Sequence, residues 1–306
     1  MKNKENENFM LSKILDEDMS QGAYNLRVDG KAVTRQNTEF VQILPKQDGS
    51  GIEVFIKENC KNQSVYIPVL VMKGGLNDKV FNDFYVGENA EVVIVAGCGI
   101  HNHTNHNSSH NGIHTFYIEK NAKVTYIEKH YGHGEKLGKK NLSPVTTVFL
   151  KENASLTMNS VQMEGVDYAV RKTIGKLEKG AKFVVNEKIL TEKDQFADSI
   201  FEVELNGENA STKISSRAVA KEMSKQEFHS NVIGNDECFG HIECDAILMN
   251  DAKIIAVPQI SALSSNANLV HEATIGKIAG AQLDKLLTLG LSQSQAEDFI
   301  IKGFLS

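Results

Sequence analysis

From about residue 85 to residue 260 the chain alternates apolar and polar positions with a period of two. No stretch there carries the 3.6-residue period of an amphipathic helix. One phrase returns through this region: VGENAEVVIVAG (86–97), IEKNAKVTYIEKH (118–130), LKENASLTMNSVQ (150–162), LEKGAKFVVNEKIL (177–190), LNGENASTKISSRAV (205–219) and LMNDAKIIAVPQI (248–260). Each copy is a polar turn, an Asn, Gly or Asp followed by Ala, and an alternating strand. Asn and Gly tolerate the left-handed turn conformation, and the small Ala fits where the chain tucks inward. Ala90, Ala122, Ala154, Ala181 and Ala210 follow one another at intervals of 32, 32, 27 and 29 residues. A second strand-like run lies between copies: GIHTFYI, SPVTTVFL, YAVRKTI, DSIFEVEL and QEFHSNVI. A sandwich or barrel also spaces short strands regularly, at a tighter interval. Two strands per repeating unit predict instead a mainly β protein built as a parallel β-helix, a solenoid whose inward side chains stack into one column.

The ends depart from this pattern. Residues 1–25 are expected to hold a short amphipathic helix with Phe9, Leu11, Ile14 and Leu15, and 26–85 contain scattered strands such as IEVFI and VYIPVLVM. Near the C-terminus IGKIAGAQLDKLLTLG reads as a helix carrying Leu283, Leu286 and Leu287 and stopped by Gly290. A second helix follows, opened by a capping box of Ser292 and Gln295, with Ala296, Phe299 and Ile300 on one face. The two are expected to cover the solenoid end or to dock a partner, their apolar residues favouring the former. The domain reading is a partly helical N-terminal region (1–64), a β-helix core (65–262) and a C-terminal helical region (263–306).

Composition narrows the function classes. The net charge of −6, with no basic stripe, argues against nucleic acid as a partner. No apolar run approaches the roughly 20 residues that cross a bilayer, so no membrane partner is expected. The polar start MKNKENENFM does not resemble a secretory leader, and four cysteines in 306 residues are too few for a disulfide framework. A cytoplasmic location with reduced thiols is the expectation.

Candidate chemistry concentrates in GCGIHNHTNHNSSHNGIHTF (97–116), which holds five of the ten histidines and Cys98. Imidazole and thiolate are metal ligands, yet the Asn, Ser and Gly content also suits an exposed loop. Alternation groups His114 with Phe116 and Ile118, a packed rather than coordinating position. It also sets Glu128 and His130 on one face, where stacking against the His114 strand makes a polar column. Cys238 and Cys244 share parity; their spacing is not that of a zinc or cluster site, so they read as packed thiols, with sulfur relay the alternative. His271 and Glu272 read as a hydrogen-bonded pair entering a helix.

The segment SRAVAKEMSKQEFHSNVIGNDECFGHIECDAILMNDAKIIAVPQISALSSNANLVHEATIGKIAGAQLDKLLTLGLSQSQAEDFIIKGFL resembles the C-terminal half of the SufB/SufD family, the scaffold subunits of the SUF iron–sulfur cluster assembly system. With the 87–133 region the resemblance covers about residues 65–306. It implies a right-handed parallel β-helix with helical ends, in a homodimer or a heterodimer with a SufB/SufD paralogue. It also implies a SufC-type (ABC-type) ATPase docked on the C-terminal helices and a cysteine desulfurase system as sulfur source. Candidate docking residues are Leu286, Leu289, Leu291, Phe299 and Ile300. The chain lacks a GxxxxGK[ST] loop, so ATP hydrolysis is expected from the partner and no enzyme activity from this chain.

The resemblance further implies that an iron–sulfur cluster is carried transiently, or iron alone. His271 and Glu272 match proposed ligands of the SufB-type Glu-His-Glu-Ala motif, whose first carboxylate is replaced by Val270. The cysteine that SufB-type subunits carry falls near Ala262, so the chain is neither a clear SufB nor a clear SufD. A GCGIHN…HNGIH frame singles out Cys98, His101, His110 and His114 as metal candidates, with His103 and His106 as local additions. Two other readings stand beside the scaffold. One is a structural partner of a cluster-binding paralogue, contributing only His271. The other is a β-helix that binds metal or acts on carbohydrate, disfavoured by the absence of Trp and an aromatic content of 7%.

Overall fold

The computed structural model describes residues 2–15, 19–134 and 138–306. Two ten-stranded sheets face each other. The first runs from Lys31–Gln36 and Ala23–Val28 through Gln63–Val71, Glu91–His101 and Lys123–His133 to Cys238–Leu248 and Ala267–Gly276. The second runs from Val41–Pro45 and Gly51–Ile56 through Asn77–Val86 and Ser108–Ile118 to Lys225–Gly234 and Lys253–Ala262. Beyond the antiparallel pairs at the N-terminal end, every pairing is parallel, and the chain crosses from one sheet to the other at each turn. This is the predicted β-solenoid.

The repeated turn explains the stacking. Asn89, Asn121, Asn153 and Asn209 all sit in the left-handed region, at φ 57°, 58°, 56° and 62°, and Gly180 takes the same place at 65°. The alanine after each is fully buried. Each coil hands on to the next by a backbone bond, as from the Lys123 N–H to the Ala90 carbonyl (2.8 Å) and from Ser155 to Ala122 (2.8 Å). The asparagine side chains form their own ladder: Asn121 donates to Asn89, and Asn89 to Asn59, each over 3.1 Å. Asn59 (φ 58°) reveals an earlier copy of the turn, KENC at 57–60, with buried Cys60 in the alanine's place. It matches KENA at 151–154, a signal present in the sequence and obscured by one substitution.

Inside, alternate residues of both sheets pack into one long apolar cluster that includes Ile94, Tyr126, Met158, Phe183 and Ile214. Phe84 stacks on Phe116 at 4.4 Å. Outside, Phe55, Tyr85, Tyr117 and Phe149 form a stack with spacings of 4.9, 5.1 and 5.4 Å. Such pairs contribute about 0.5–1.5 kcal/mol each beyond their buried area.

Helix α1 (Lys2–Ile14) lies on the outer face of strand Glu91–His101. Its buried residues are Met10 and Ile14; Phe9, expected to be buried, is 41% exposed. Two glycines admit it: a Cβ on Gly97 would stand 2.7 Å from that of Ile14, and one on Gly99 would stand 2.8 Å from the Met10 methyl.

The ladder continues past residue 262 into strand Ala267–Gly276, before α2 (Gly280–Thr288) and α3 (Gln293–Phe304). The Ser292–Gln295 capping box forms as expected. The C-terminal helices do not cover the solenoid end. Instead Ile301 and Leu305 pack on the outer face of the first sheet, against Val219, Met163, Leu190, Ile247 and Met249. The last coil is left bare, with Ile255, Val257, Ile260, Val270 and Ile275 all exposed.

Candidate functional site

The interior is divided lengthwise. Beside the apolar cluster runs a file of polar side chains set by register: Glu128 stacks over Ser160, Ser160 over Glu187, Glu187 over Ser216, and Ser216 over Cys244. The opposite sheet supplies Asp78, His110, His114, Arg171 and Ser199, all buried. Period-two alternation delivers each inward, and parallel in-register pairing lines them up along the axis.

Arg171 is the hub. It donates to Glu128 (2.6 Å), to the Nδ1 of His130 (2.9 Å) and to Ser160, and its Nε lies 3.8 Å from Glu187. Ser199 and Ser216 complete Glu187 at 2.7 and 2.8 Å, and Tyr126 donates to Glu128 at 3.1 Å. Because guanidinium only donates, His130 Nδ1 accepts, and its proton sits on Nε2, 3.6 Å from Glu128. A second cluster joins Asp78 to Arg27 through two bonds of 2.8 and 3.0 Å and to His110 Nδ1 at 3.0 Å.

These partners decide the charges. Burial alone would raise the carboxyls, but the Arg171 charge and His130 hold Glu128 well below the usual range, and bonds from His110 and Arg27 do the same for Asp78. Burial lowers His114 to about 4 and lowers His130 as well, so both rings are neutral. Burial, with the charges of Asp78 and Glu128, pushes the Cys98 thiol up, so it stays protonated.

Three of the metal candidates from the sequence, Cys98, His110 and His114, line one internal space of about 20 Å³ together with Glu128 and His130. That holds about one water and is too small for a cluster or nucleotide. Glu128 and His130 do not stack against the His114 strand as expected: they sit on the first sheet and His114 on the second, so they face it across the lumen. Arg171, which joins Glu128 to His130, had no signal in the sequence beyond the parity of YAVRKTI.

His101 goes elsewhere. It follows Gly97 and Gly99 on the outer face, beside α1, and pairs in register with His133. The two rings stack at 5.1 Å with Nδ1 atoms 3.0 Å apart, and His103 meets His101 edge-on at 4.1 Å. Burial, with His103 and His133 nearby, lowers His101 to about 4. Among the described residues, two groups of three bring their ligand atoms within 4.8 Å of one another: His101, His103 and His133, and Asp198, Glu227 and His229.

His271 and Glu272 lie on the final strand rather than at a helix entry, since Leu269, His271 and Ala273 continue the alternation. Alternation also sends them to opposite faces. His271 is in register with buried Ile242, at the lumen mouth, and its Nε2 is buried without a hydrogen-bond partner. Glu272 is on the outer face, 3.7 Å from His241. Cys238 and Cys244 are buried, with Cys244 pushed up to about 12 by burial and by Glu187, so neither is the exposed, acidic thiol that sulfur relay requires. On the helices Leu289 and Phe299 are 70% and 64% exposed, while Leu286, Leu291 and Ile300 are half-buried.

The fold and the site define the class as a β-solenoid protein with a charged interior and an uncovered last coil. The comparisons specify which. Residues 82–304 match the family described as the SUF system FeS cluster assembly SufBD core domain, and the chain belongs to that family. An iron-sulfur cluster assembly SufBD family protein of Archaeoglobus fulgidus is 29% identical over 90% of this chain and 73% of its own length. A protein of the same description from Methanothermobacter thermautotrophicus is 30% identical, over 72% of this chain and 53% of its own length. The iron-sulfur cluster assembly protein SufB of Bacillus subtilis is 31% identical over 32% of this chain and 22% of its own. The chain thus spans about half the length of the Methanothermobacter relative and about three quarters of the Archaeoglobus one. Family membership carries a role in iron–sulfur cluster assembly. No helix among the described residues is long and apolar enough to cross a membrane.

Proposed function

We propose that the chain is a scaffold on which an iron–sulfur cluster is assembled or from which it is transferred, the cluster being cargo held at the open end. The observation that carries this reading is the unfinished last coil: a free strand edge, a rim of exposed apolar side chains, and at the lumen mouth a His271 nitrogen buried without a partner. A second solenoid, another copy or a paralogue, seated on that edge covers the rim and brings its own ligands to His271. Neutral imidazole and carboxylate suit iron. Glu272 reaches the same edge from the outer side, as a second ligand or as a contact to the partner.

The ATPase docks, in this reading, on α2 and α3 through Leu289 and Phe299, with Leu286, Leu291 and Ile300 holding the helices in place. One feature favours a second reading, a structural partner without a cluster of its own: all four cysteines are buried.

The experiment is anaerobic reconstitution of the untagged protein, co-expressed with its ATPase, using iron and sulfide. Both elements and the visible spectrum are quantified for wild type and His271→Ala. Stoichiometric iron and sulfide that depend on His271 support the scaffold. A stable ATPase complex with no cluster in the wild type replaces it with the structural-partner reading.

A further inference from the structure

Helix α1 sits on the solenoid through an apolar patch in which Met10 and Ile14 pack with Leu70, Val28 and Met72. At the edge of that patch it meets two histidines, His101 and His133, with His103 beside them. His101 ends the outward row that begins with the two glycines under α1; His133 lies beside it in the next coil; His103 reaches back from the following loop. On the helix side, Asn6 meets His101 Nε2 at 3.4 Å and Phe9 packs edge-on to His133 at 5.3 Å. We propose that His101, His103 and His133 form a site for a divalent transition metal, best matched by zinc, which fastens α1 to the body of the protein.

The geometry is that of a ligand set. The Nδ1 atoms of His101 and His133 face each other at 3.0 Å. Two nitrogens on a tetrahedral zinc, each about 2.0–2.1 Å from the metal, stand about 3.3 Å apart. Insertion of the ion therefore asks the rings to part by only a few tenths of an ångström. His103, perpendicular to both rings (89° and 84°), supplies a third nitrogen from another direction. Three imidazoles and an open fourth position for water select zinc and its neighbours over the oxygen-seeking magnesium and calcium.

The surroundings hold the set in place. Asn102, fully buried, binds the His106 and Gly138 carbonyls with its amide nitrogen (2.8 and 3.2 Å) and the Thr104 N–H with its oxygen (2.9 Å). That fixes the loop carrying His103. With Nδ1 on the metal, His101 Nε2 carries the proton and faces Asn6. A half-turn of that amide, whose two ends are alike in shape, presents its carbonyl as the acceptor, the usual outer partner of a metal-bound histidine. The other group of three, Asp198, Glu227 and His229, is already satisfied: His229 donates to Asp198 (2.9 Å) and Lys225 pairs with Glu227.

The test uses untagged, chelator-treated full-length protein and zinc alone, without iron or sulfide, so it is independent of cluster assembly. Competition titration against a chromophoric chelator is expected to give one zinc per chain. His103→Ala and His133→Ala each weaken it about 100-fold or more, while His106→Ala in the same loop leaves it unchanged. His103 is exposed, so its removal does not threaten folding. Cobalt in place of zinc gives the intense visible bands of four-coordinate geometry in wild type and loses them in His103→Ala. Zinc also slows tryptic cleavage after Lys13 in α1. Binding weaker than about 10 µM, or binding indifferent to His103→Ala, overturns the site. Tight binding with unchanged cleavage after Lys13 overturns the fastening role.

Discussion

The two ends of the solenoid are made from similar strands and finished differently. At the N-terminal end each sheet terminates in an antiparallel strand, Lys31–Gln36 on one and Val41–Pro45 on the other, and α1 lies against the outer wall. At the C-terminal end the final parallel strands simply stop. Strand Lys225–Gly234 buries every second residue, whereas Lys253–Ala262, with the same alternation, buries none. Pattern alone therefore does not make a core; a neighbour on both sides does. The charged groups of the interior differ in the same way, although a few buried oxygens inside, such as those of Thr173 and Thr212, also stand without a partner. Glu128 and Glu187 are sealed and fully partnered, while His271, at the mouth, retains an unpartnered nitrogen.

The sharpest way to break this comparison is to remove a partner from the sealed region. Arg171→Met leaves Glu128 and Glu187 buried without their cation, and a loss of about 3–5 kcal/mol is expected in urea unfolding. Acid comes next. Folded His114 stays neutral down to about pH 4, whereas in the unfolded chain it takes up a proton near 6.5. Between those values the unfolded state binds more protons, so stability falls by about 3 kcal/mol as pH drops from 6.5 to 4. Asp78 and Glu128, depressed in the fold, add loss in the same direction below that window. Unfolding midpoints across pH 4–8 check this, and His114→Gln should flatten the upper part of the curve. At the turns, Asn121→Val forces a β-branched residue to φ 58° and breaks the ladder to Asn89, an expected cost of about 1–2 kcal/mol by thermal unfolding. The smallest change belongs to the open end. Ile255→Lys is expected to shift unfolding by no more than about 0.5 kcal/mol, since nothing covers it, yet to abolish self-association in sedimentation. A large stability loss there instead would show that the last coil is covered within the chain.

The solenoid was legible because its turn demands two things at once, a left-handed residue and a small buried one, and few residues satisfy both. The copy at Asn59–Cys60 escaped because a buried thiol replaces the alanine. Parity put His114 on a packed face and Glu128 with His130 on one face, while Cys98 was singled out only by the family-like frame. What the sequence could not show was which residues meet across the lumen, because that depends on coil length. Arg171 reaches Glu128 across 43 residues. His101 was grouped with Cys98, three positions away, but in a strand an odd offset puts the two on opposite walls. Its neighbour His133 lies one coil on, in register at 32 residues. His271 and Glu272 were read as a helix entry because ATIGKIAGAQL begins close behind them; strand pairing with Cys238–Leu248 outweighs that local preference.

The stacked asparagine turns have one more consequence. In the backbone ladder each coil recognises only the one before and the one after, through the same bonds at every turn. A coil is therefore a removable unit. Excising residues 182–210 would bring Ser211 beneath Ala154 with every inward row in phase, at the cost of Leu190, one of the outer contacts of α3. Length in this architecture is a count of repeated rungs, open to change by whole-coil gain or loss wherever no terminal helix leans on the coil.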